Sequence, residues 1–145
     1  MDRIIENRKN AEDTKKPGAL KPAQAVLGAF SCALLIKAFL FDVMITQGQS
    51  MSPAIKPGAV LVVGKTAYGL RLPWSGEYLL WWSLPKAGDV VIFYTPQGEI
   101  AVKRCAGITG GSAFTALGDN SPCSYDSRSY GPVPIHNIIG KVLGI

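Results

Sequence analysis

The sequence predicts a mainly β domain that follows a single N-terminal membrane helix. The chain has 145 residues, 48% of them hydrophobic, and its mean hydropathy of +0.19 is high for one soluble domain. The excess lies in one long apolar run near the N-terminus, which predicts the helix. After that run, short apolar segments alternate with Pro and Gly, a pattern that is typical of antiparallel strands joined by turns.

The N-terminal part is predicted to comprise a charged tail (residues 1–21) and a membrane anchor (residues 22–45). Between Ala25 and Phe41, one serine and Lys37 are the strongly polar residues. A run of about 21 residues at ~1.5 Å rise per residue matches a ~30 Å hydrocarbon core. A cleavable signal peptide is an alternative, but the long charged tail and the lack of a small-residue cleavage site argue against it. A buried core helix of a soluble domain is the second alternative, and the charged residues Lys37 and Asp42 are compatible with it.

The basic residues around the apolar run predict its orientation. After the run, the first basic residue is Lys56, whereas several precede it: Arg3, Arg8, Lys9, Lys15, Lys16 and Lys21. By the positive-inside rule, the N-terminus lies in the cytoplasm and residues 46–145 lie outside. The predicted localisation is therefore the cytoplasmic membrane, as a single-pass protein.

Residues 46–145 are predicted to form a small antiparallel β-barrel or sandwich. The apolar runs are AVLVVG (59–64), DVVIFY (89–94), EIAVKRCAGI (99–108), SAFTAL (112–117) and IIGKVLGI (138–145). The segment AYGLRLPWSGEYLLWWSLP (67–85) does not fit a strand, and it contains all three tryptophans. Ordinary core aromatics or a patch at the membrane interface would each account for it.

Charge and motif content argue against several partners and cofactors. The net charge is +5, but no run of like charge is interleaved with aromatic residues, so no nucleic-acid partner is expected. The sequence has no HExxH, no CxxC and no glycine-rich phosphate loop, so neither a metal nor another cofactor is expected. Cys105 and Cys123 would either pair in an oxidising compartment or stay as free thiols.

A serine and a lysine are the candidate catalytic residues. Ser50 and Ser52 lie in GQSMSPAIKPG, directly after the apolar run, where an exposed nucleophile would stand at a membrane surface. His136 is the only histidine, and its apolar neighbours favour a structural role over a place in a Ser-His-Asp triad. A buried lysine is an alternative base because desolvation lowers its pKa. Strand alternation places Lys103 on one face with Ala101 and Cys105, and serine–lysine pairs are a known variant of the triad.

Three segments, in this order, resemble the bacterial type I signal peptidases, which are membrane-anchored serine–lysine endopeptidases. GQSMSP resembles their nucleophile box, and GDVVIF followed by VKRCAG resembles their strand and lysine boxes. GDNSPCSYDSRSYGPV resembles their last box. The likeness covers most of residues 45–145 and extends to the anchor.

The resemblance implies a role for each residue in these boxes. Ser50 would be the nucleophile, with Ser52 as the alternative, and Lys103 the general base. Gly48 stands where some members have a serine that helps to hold the oxyanion, so backbone N–H groups would take that role. The supporting residues would be Ser124, which orients the lysine amine, the ion pair of Asp126 with Arg128, and Asp119 of the Gly-Asp-Asn turn.

The implied function is removal of N-terminal signal peptides from exported preproteins at the outer face of the cytoplasmic membrane. Exported preproteins and the lipid bilayer are the expected partners. Shallow pockets for small side chains would be lined by Met51, Ile55, Ala101 and Val102. Two alternatives remain: a conjugation-type, pilin-processing peptidase of the same clan, and an inactive membrane-anchored scaffold with a β domain for partner binding.

Overall fold

An apolar helix and a mainly β part make up residues 22–145, which are the residues that the computed structural model describes. The described residues divide into two units, residues 22–33 and 34–145. Helix α1 (Pro22–Phe39) is long and apolar enough to cross a membrane, and none of its residues is buried. The predicted charged tail, residues 1–21, lies outside the described residues.

The β part contains nine strands. They are β1 (Phe41–Ile45), β2 (Val60–Gly64), β3 (Gly69–Arg71), β4 (Tyr78–Trp81), β5 (Val90–Tyr94), β6 (Ile100–Thr109), β7 (Ala113–Leu117), β8 (Val133–Pro134) and β9 (Ile138–Val142). Seven of them form one sheet in the order β1-β2-β9-β5-β6-β7-β8, and every pair in it is antiparallel. The sheet curls into a half-barrel, which confirms the predicted mainly β fold class.

The helix ends earlier than the apolar run from which it was predicted. Residues 41–45, which the sequence placed in the anchor, form strand β1 and pair with β2 from Phe41 opposite Gly64 to Ile45 opposite Val60. Hydropathy does not separate the two elements, because the strand FDVMI is nearly as apolar as the helix before it. Alternating exposure along β1 marks the change from helix to sheet.

The aromatic segment 67–85 was predicted not to form strands, and this was wrong. It contains strands β3 and β4, which form a separate two-stranded sheet. The side chains of Trp74, Trp81 and Trp82 are 76%, 40% and 57% exposed, so they are not core residues. Tyr78 hydrogen-bonds the backbone oxygen of Ile138 and thereby ties this hairpin to β9.

Strand β5 lies between two hydrophobic clusters, one on each face of the sheet. Val91 and Phe93 enter one cluster, and Val90 and Ile92 enter the other. Val91 is opposite Lys103 on β6, in the register that pairs these two strands. Lys103 therefore lies on the face where Cys105 is part of the first cluster, as strand alternation predicted.

Candidate active site

The candidate site is an open groove between the segment after β1 and the first half of β6. The groove encloses about 610 Å³. Ser50 and Lys103 both line it. So do the side chains that the sequence assigned to substrate binding, Met51, Ile55, Ala101 and Val102.

The Ser50 segment is a tight turn held by its neighbours. Met51 and Ile55 are buried in the second cluster, and the Ile55 N–H donates to the Met51 carbonyl at 2.8 Å. Asn120 braces the turn from the other side: its backbone N–H donates to the Ser50 carbonyl at 2.9 Å, and its Nδ2 donates to the Gln49 carbonyl at 3.1 Å. These bonds fix the backbone on both sides of the Ser50 hydroxyl.

Lys103 is a buried lysine, only 5% exposed, and it lies in the middle of β6. Its Nζ donates a hydrogen bond to Ser124 Oγ at 3.1 Å. Burial lowers the pKa of Lys103, because the protein interior disfavours the ammonium form. The carboxylate of Asp126 opposes this effect and the guanidinium of Arg128 reinforces it, with a net lowering of the pKa.

Asp126 organises the groups behind the lysine. It is completely buried, and it accepts hydrogen bonds from Ser124 Oγ at 2.6 Å and from the Gly118 N–H at 2.8 Å. Arg128 forms an ion pair with it, with 2.5 Å between Nη2 and Oδ2. Burial alone would raise the pKa of Asp126, but these hydrogen bonds hold it well below its usual range.

The direction of these bonds determines how the lysine is oriented. The Ser124 hydroxyl has one proton, and it is directed to Asp126, so its oxygen accepts from Lys103. A neutral Lys103 amine bound in this way uses an N–H on Ser124 and keeps its lone pair for another partner. Asp126 also caps the short helix α2 (Ser127–Tyr130) through the Arg128 N–H, which fixes the carboxylate in place.

Gly118 directly follows strand β7 and lies close to both Ser124 and the Ser50 carbonyl. A Cβ atom at this position would be 2.6 Å from Ser124 Cβ and 2.7 Å from the Ser50 carbonyl oxygen. Such approaches are shorter than any ordinary van der Waals contact. Only glycine therefore allows Ser50 and Ser124 to come this close to the backbone of residue 118.

Asp119 was predicted as a supporting residue, and it forms an ion pair at the edge of the site. Its carboxylate binds Arg104, with Oδ1 2.9 Å from Nε and Oδ2 2.6 Å from Nη2. Arg104 also donates to the Gly88 carbonyl at 2.9 Å. Sequence reasoning missed Arg104 and Asn120, although Arg104 directly follows Lys103 and Asn120 completes the Gly-Asp-Asn turn.

The other candidates from the sequence do not line the groove. Neither Ser52 nor His136 lines it, and His136 is exposed in the turn before β9. Cys105 is buried, Cys123 is exposed, and both are free thiols. After the helix, within residues 40–145, the remaining lysines are ion-paired or exposed: Lys65 binds Asp42, Lys141 binds Asp89, and Lys56 and Lys86 are exposed.

A hydroxyl and a buried amine that open into one groove of a β half-barrel are the arrangement of the serine–lysine hydrolase class. Comparison with known proteins agrees with this class. The family model described as "Signal peptidase, peptidase S26" matches residues 19–113 and 111–145. The chain therefore belongs to the peptidase S26 family of signal peptidases.

Individual relatives support the family at moderate identity. Signal peptidase I of Bacillus licheniformis is 34% identical over 97 residues, which cover 66% of this chain and 46% of the relative. Signal peptidase I of Buchnera aphidicola subsp. Baizongia pistaciae is 32% identical over 78 residues, 52% of this chain and 25% of the relative. Subunit 1 of the mitochondrial inner membrane protease of Schizosaccharomyces pombe is 30% identical over 127 residues, with 74% of each chain covered. The chain thus spans only a quarter to a half of the two bacterial relatives.

Proposed function

We propose that this chain is a serine endopeptidase that removes signal peptides from exported preproteins, with Ser50 as the nucleophile and Lys103 as the general base. One observation carries the proposal: both side chains open into the same groove, and Lys103 is buried and bound to Ser124. A buried amine that is uncharged near neutral pH is a suitable base for a serine hydroxyl.

The reaction begins when a scissile carbonyl lies beside Ser50. Neutral Lys103 takes the hydroxyl proton as Ser50 Oγ forms a bond to the carbonyl carbon, and the resulting ammonium gives the proton to the departing amine. The C–N bond breaks and an acyl-enzyme ester remains. Lys103 then takes a proton from water, whose oxygen attacks the ester and releases the carboxylate product with Ser50 restored.

Within the described residues, no hydrogen bond joins Ser50 Oγ to Lys103 Nζ. Catalytic hydrogen bonds are often long before substrate binds and shorten in the reacting complex. In this proposal a bound peptide excludes water from the groove, and the lone pair of Lys103 then faces the Ser50 hydroxyl. The backbone N–H of Ser50 is the donor proposed for the oxyanion, since Gly48 has no hydroxyl to offer.

Arg128 resolves a conflict between the two roles of Asp126. A carboxylate is needed to orient Ser124, but its charge favours the ammonium form of Lys103 and would weaken the base. The guanidinium of Arg128 offsets that charge through the ion pair with Asp126. Asp126 can then accept the hydrogen bond from the Ser124 hydroxyl while Lys103 remains deprotonated.

The substrate is proposed to bind as an extended strand. Residues 100–103 of β6 pair with β5, but β7 pairs only from Arg104 onwards, and β1 pairs only with β2 among the described residues. Both elements contribute residues to the groove and present unpaired backbone edges, which suits addition of a peptide strand. Ala101 and Val102 leave room there for small side chains, as in Ala-x-Ala-like sequences before a cleavage site.

Helix α1 is proposed to hold this site at the outer membrane surface, with the N-terminus in the cytoplasm. Its 18 residues would extend about 27 Å, close to the ~30 Å of a hydrocarbon core. Ser50 follows the end of the helix by a short strand, so the groove would lie near the headgroups. A signal peptide in the same bilayer would present its cleavage site there.

Cleavage of a preprotein by the detergent-solubilised full chain tests the proposal. Ser50→Ala and Lys103→Ala are each expected to abolish cleavage while circular dichroism and Tm show a folded domain. Lys103→Arg is expected to fail too, because a guanidinium does not lose its proton at accessible pH. His136→Ala is the matched control and should retain activity. A fully active Lys103→Ala variant, or an inactive His136→Ala variant, would contradict the assignment of the base.

A further inference from the structure

A second cavity lies at the end of the membrane helix and is not explained by peptide cleavage. It encloses about 530 Å³ within residues 34–145. Its wall combines Ala38 in the last turn of α1 with residues of the β3–β4 hairpin and of the main sheet. The charged side chains that line it are Asp42, Lys65 and Arg71.

Of the two cations, Lys65 is fully engaged with protein groups. Its Nζ is 3.0 Å from Asp42 Oδ2, and it donates to the backbone oxygens of Lys37 at 3.3 Å and Ala38 at 3.4 Å. An ammonium group has three donors, and these three acceptors use all of them. Lys65 thus caps the carbonyl end of the helix and has no donor left for a ligand.

Arg71 is the cation that remains available. Its Nε donates to the Gly76 carbonyl at 2.5 Å, and its guanidinium stacks over the ring of Tyr94 at 5.4 Å from the ring centre. Among the described residues, its terminal nitrogens have no hydrogen-bond acceptor and no carboxylate partner. The hydrogen bond to Gly76 and the contact with the Tyr94 ring therefore hold the side chain in place, and the fork of N–H groups on its two terminal nitrogens is left unpaired in the cavity. Such a fork matches two oxygens of a phosphate.

The surroundings of the cavity match the headgroup region of a bilayer. Trp74, which lines the cavity, packs edge-on against Phe39 at the end of α1, with 6.4 Å between ring centres. Tryptophan is enriched at the level where headgroups meet the hydrocarbon core. If α1 spans the membrane as proposed above, Ala38 and Trp74 lie at that level, and Arg71 lies beside them.

We propose that this cavity binds the phosphodiester of an anionic phospholipid of the outer leaflet, with Arg71 as the main contact. Trp74 would pack against the lipid just below the phosphate. The proposal rests on the proposed membrane placement of α1, but it does not depend on the peptidase activity.

Lipid bound here would also support the catalytic groove. Met44 and Ile100 line both cavities, so they form the wall between them. Ile100 begins the stretch of β6 whose edge is proposed to pair with the substrate. A headgroup bound behind this wall would fix the height of the groove relative to the bilayer. The groove would then lie at the membrane surface, where a signal peptide emerges.

Native mass spectrometry of the detergent-purified full chain tests the site. The experiment uses the Ser50→Ala background, so its result is independent of catalysis. Retention of phosphatidylglycerol is compared between this chain and the same chain with Arg71→Gln. Loss of a charge-assisted fork predicts at least about tenfold weaker binding of the first lipid. Lys86→Gln, which removes an exposed cation outside the cavity, should bind like the background chain.

A second pair of variants leaves Arg71 and its local contacts intact. Ser75 lines the cavity, and its hydroxyl accepts a hydrogen bond from the Glu77 N–H. An Asp or Asn side chain at position 75 has an oxygen that can accept the same hydrogen bond. Ser75→Asp is expected to weaken phosphatidylglycerol binding several-fold through charge repulsion, and Ser75→Asn is expected to leave it unchanged.

Two further binding measurements identify the source of the phosphate. Phosphatidylcholine with the same acyl chains is expected to bind more weakly and to depend less on Arg71, because its headgroup has no net charge. Free glycerol phosphate is expected to compete only at much higher concentration. Equal phosphatidylglycerol binding by the background chain and Arg71→Gln would overturn the proposal. Equal competition by glycerol phosphate would also overturn it, since it would indicate a simple anion site.

Discussion

Replacement of Gly118 by alanine separates the geometry of the site from its chemistry, because it changes no catalytic group. The added Cβ would be 2.6 Å from Ser124 Cβ and 2.7 Å from the Ser50 carbonyl oxygen, whereas ordinary contact begins at 3.4 Å. The Cβ would also overlap Ser124 Oγ, which cannot turn away without losing its hydrogen bonds to Lys103 and Asp126. Relief therefore requires that Ser124 Cβ and the Ser50 carbonyl oxygen each move by at least about 0.7–0.8 Å relative to residue 118.

A shift of this size moves the nucleophile relative to the group that orients its base. Misplacement of reacting groups by about 1 Å can cost about 10²-fold in rate. We therefore expect Gly118→Ala to lower kcat/KM for a signal-peptide substrate by about 10²-fold, mainly through kcat. The domain should remain folded, since Gly118 is not among the glycines with a left-handed φ and the strain is confined to the contacts with Ser124 and Ser50.

Steady-state cleavage by the full chain in detergent, with Tm as a folding control, measures this effect. Gly64→Ala is the matched control, because its Cβ would meet only the end of the Leu143 side chain, at 3.2 Å, and Gly64 does not line the groove. It should cost little activity. A Gly118→Ala enzyme with wild-type kcat would refute the claim that close approach at Gly118 sets the geometry of the site.

Three further predictions follow from contacts around the groove. Arg128→Gln should move the acidic limb of the pH profile of kcat/KM to higher pH, because the charge of Asp126 then raises the pKa of Lys103 unopposed. Arg128→Lys keeps a positive charge and should move the limb less. An unmoved limb in both variants would contradict the role of Arg128. Ala101→Leu should reduce kcat/KM for Ala-x-Ala substrates by about tenfold or more by filling the groove; undiminished cleavage would remove Ala101 from the substrate site. Asp89→Asn should lower the free energy of unfolding in urea by about 1–3 kcal/mol, since Asp89 binds Lys141 and the Tyr68 hydroxyl; an unchanged midpoint would show that these bonds contribute little.

The sequence predicted the β fold and the lysine because both depend on local periodicity. Alternation along β6 was sufficient to place Lys103 inward with Cys105, and the structure has it there. Alternation was not sufficient to predict β1, since the strand FDVMI continues the apolar composition of the helix. Only the pairing of β1 with β2 distinguishes this strand from the helix. The hairpin β3–β4 was missed because its tryptophans are exposed and break the usual alternation.

The resemblance to signal peptidases supplied the residues around the lysine, and the physical reasons for their positions come from the tertiary structure. The hydrogen bond from Lys103 to Ser124, the bracing of Gln49 and Ser50 by Asn120, and the close approach of Gly118 to the Ser50 carbonyl all join residues far apart in the chain. No local pattern reports such contacts. The roles assigned to these residues stay predictions until the variants are measured.

The central claim is that Lys103 is uncharged under conditions where an ordinary lysine is protonated. NMR titration of the lysine ¹³Cε signals measures this directly in the folded full chain, with Lys103→Gln to assign the resonance. One signal should titrate with a pKa below that of the exposed lysines, and kcat/KM should rise with pH through the same midpoint, because only the neutral amine accepts the Ser50 proton. If the Lys103 signal titrates together with the exposed lysines, or activity rises at a different pH, the account of the base is contradicted.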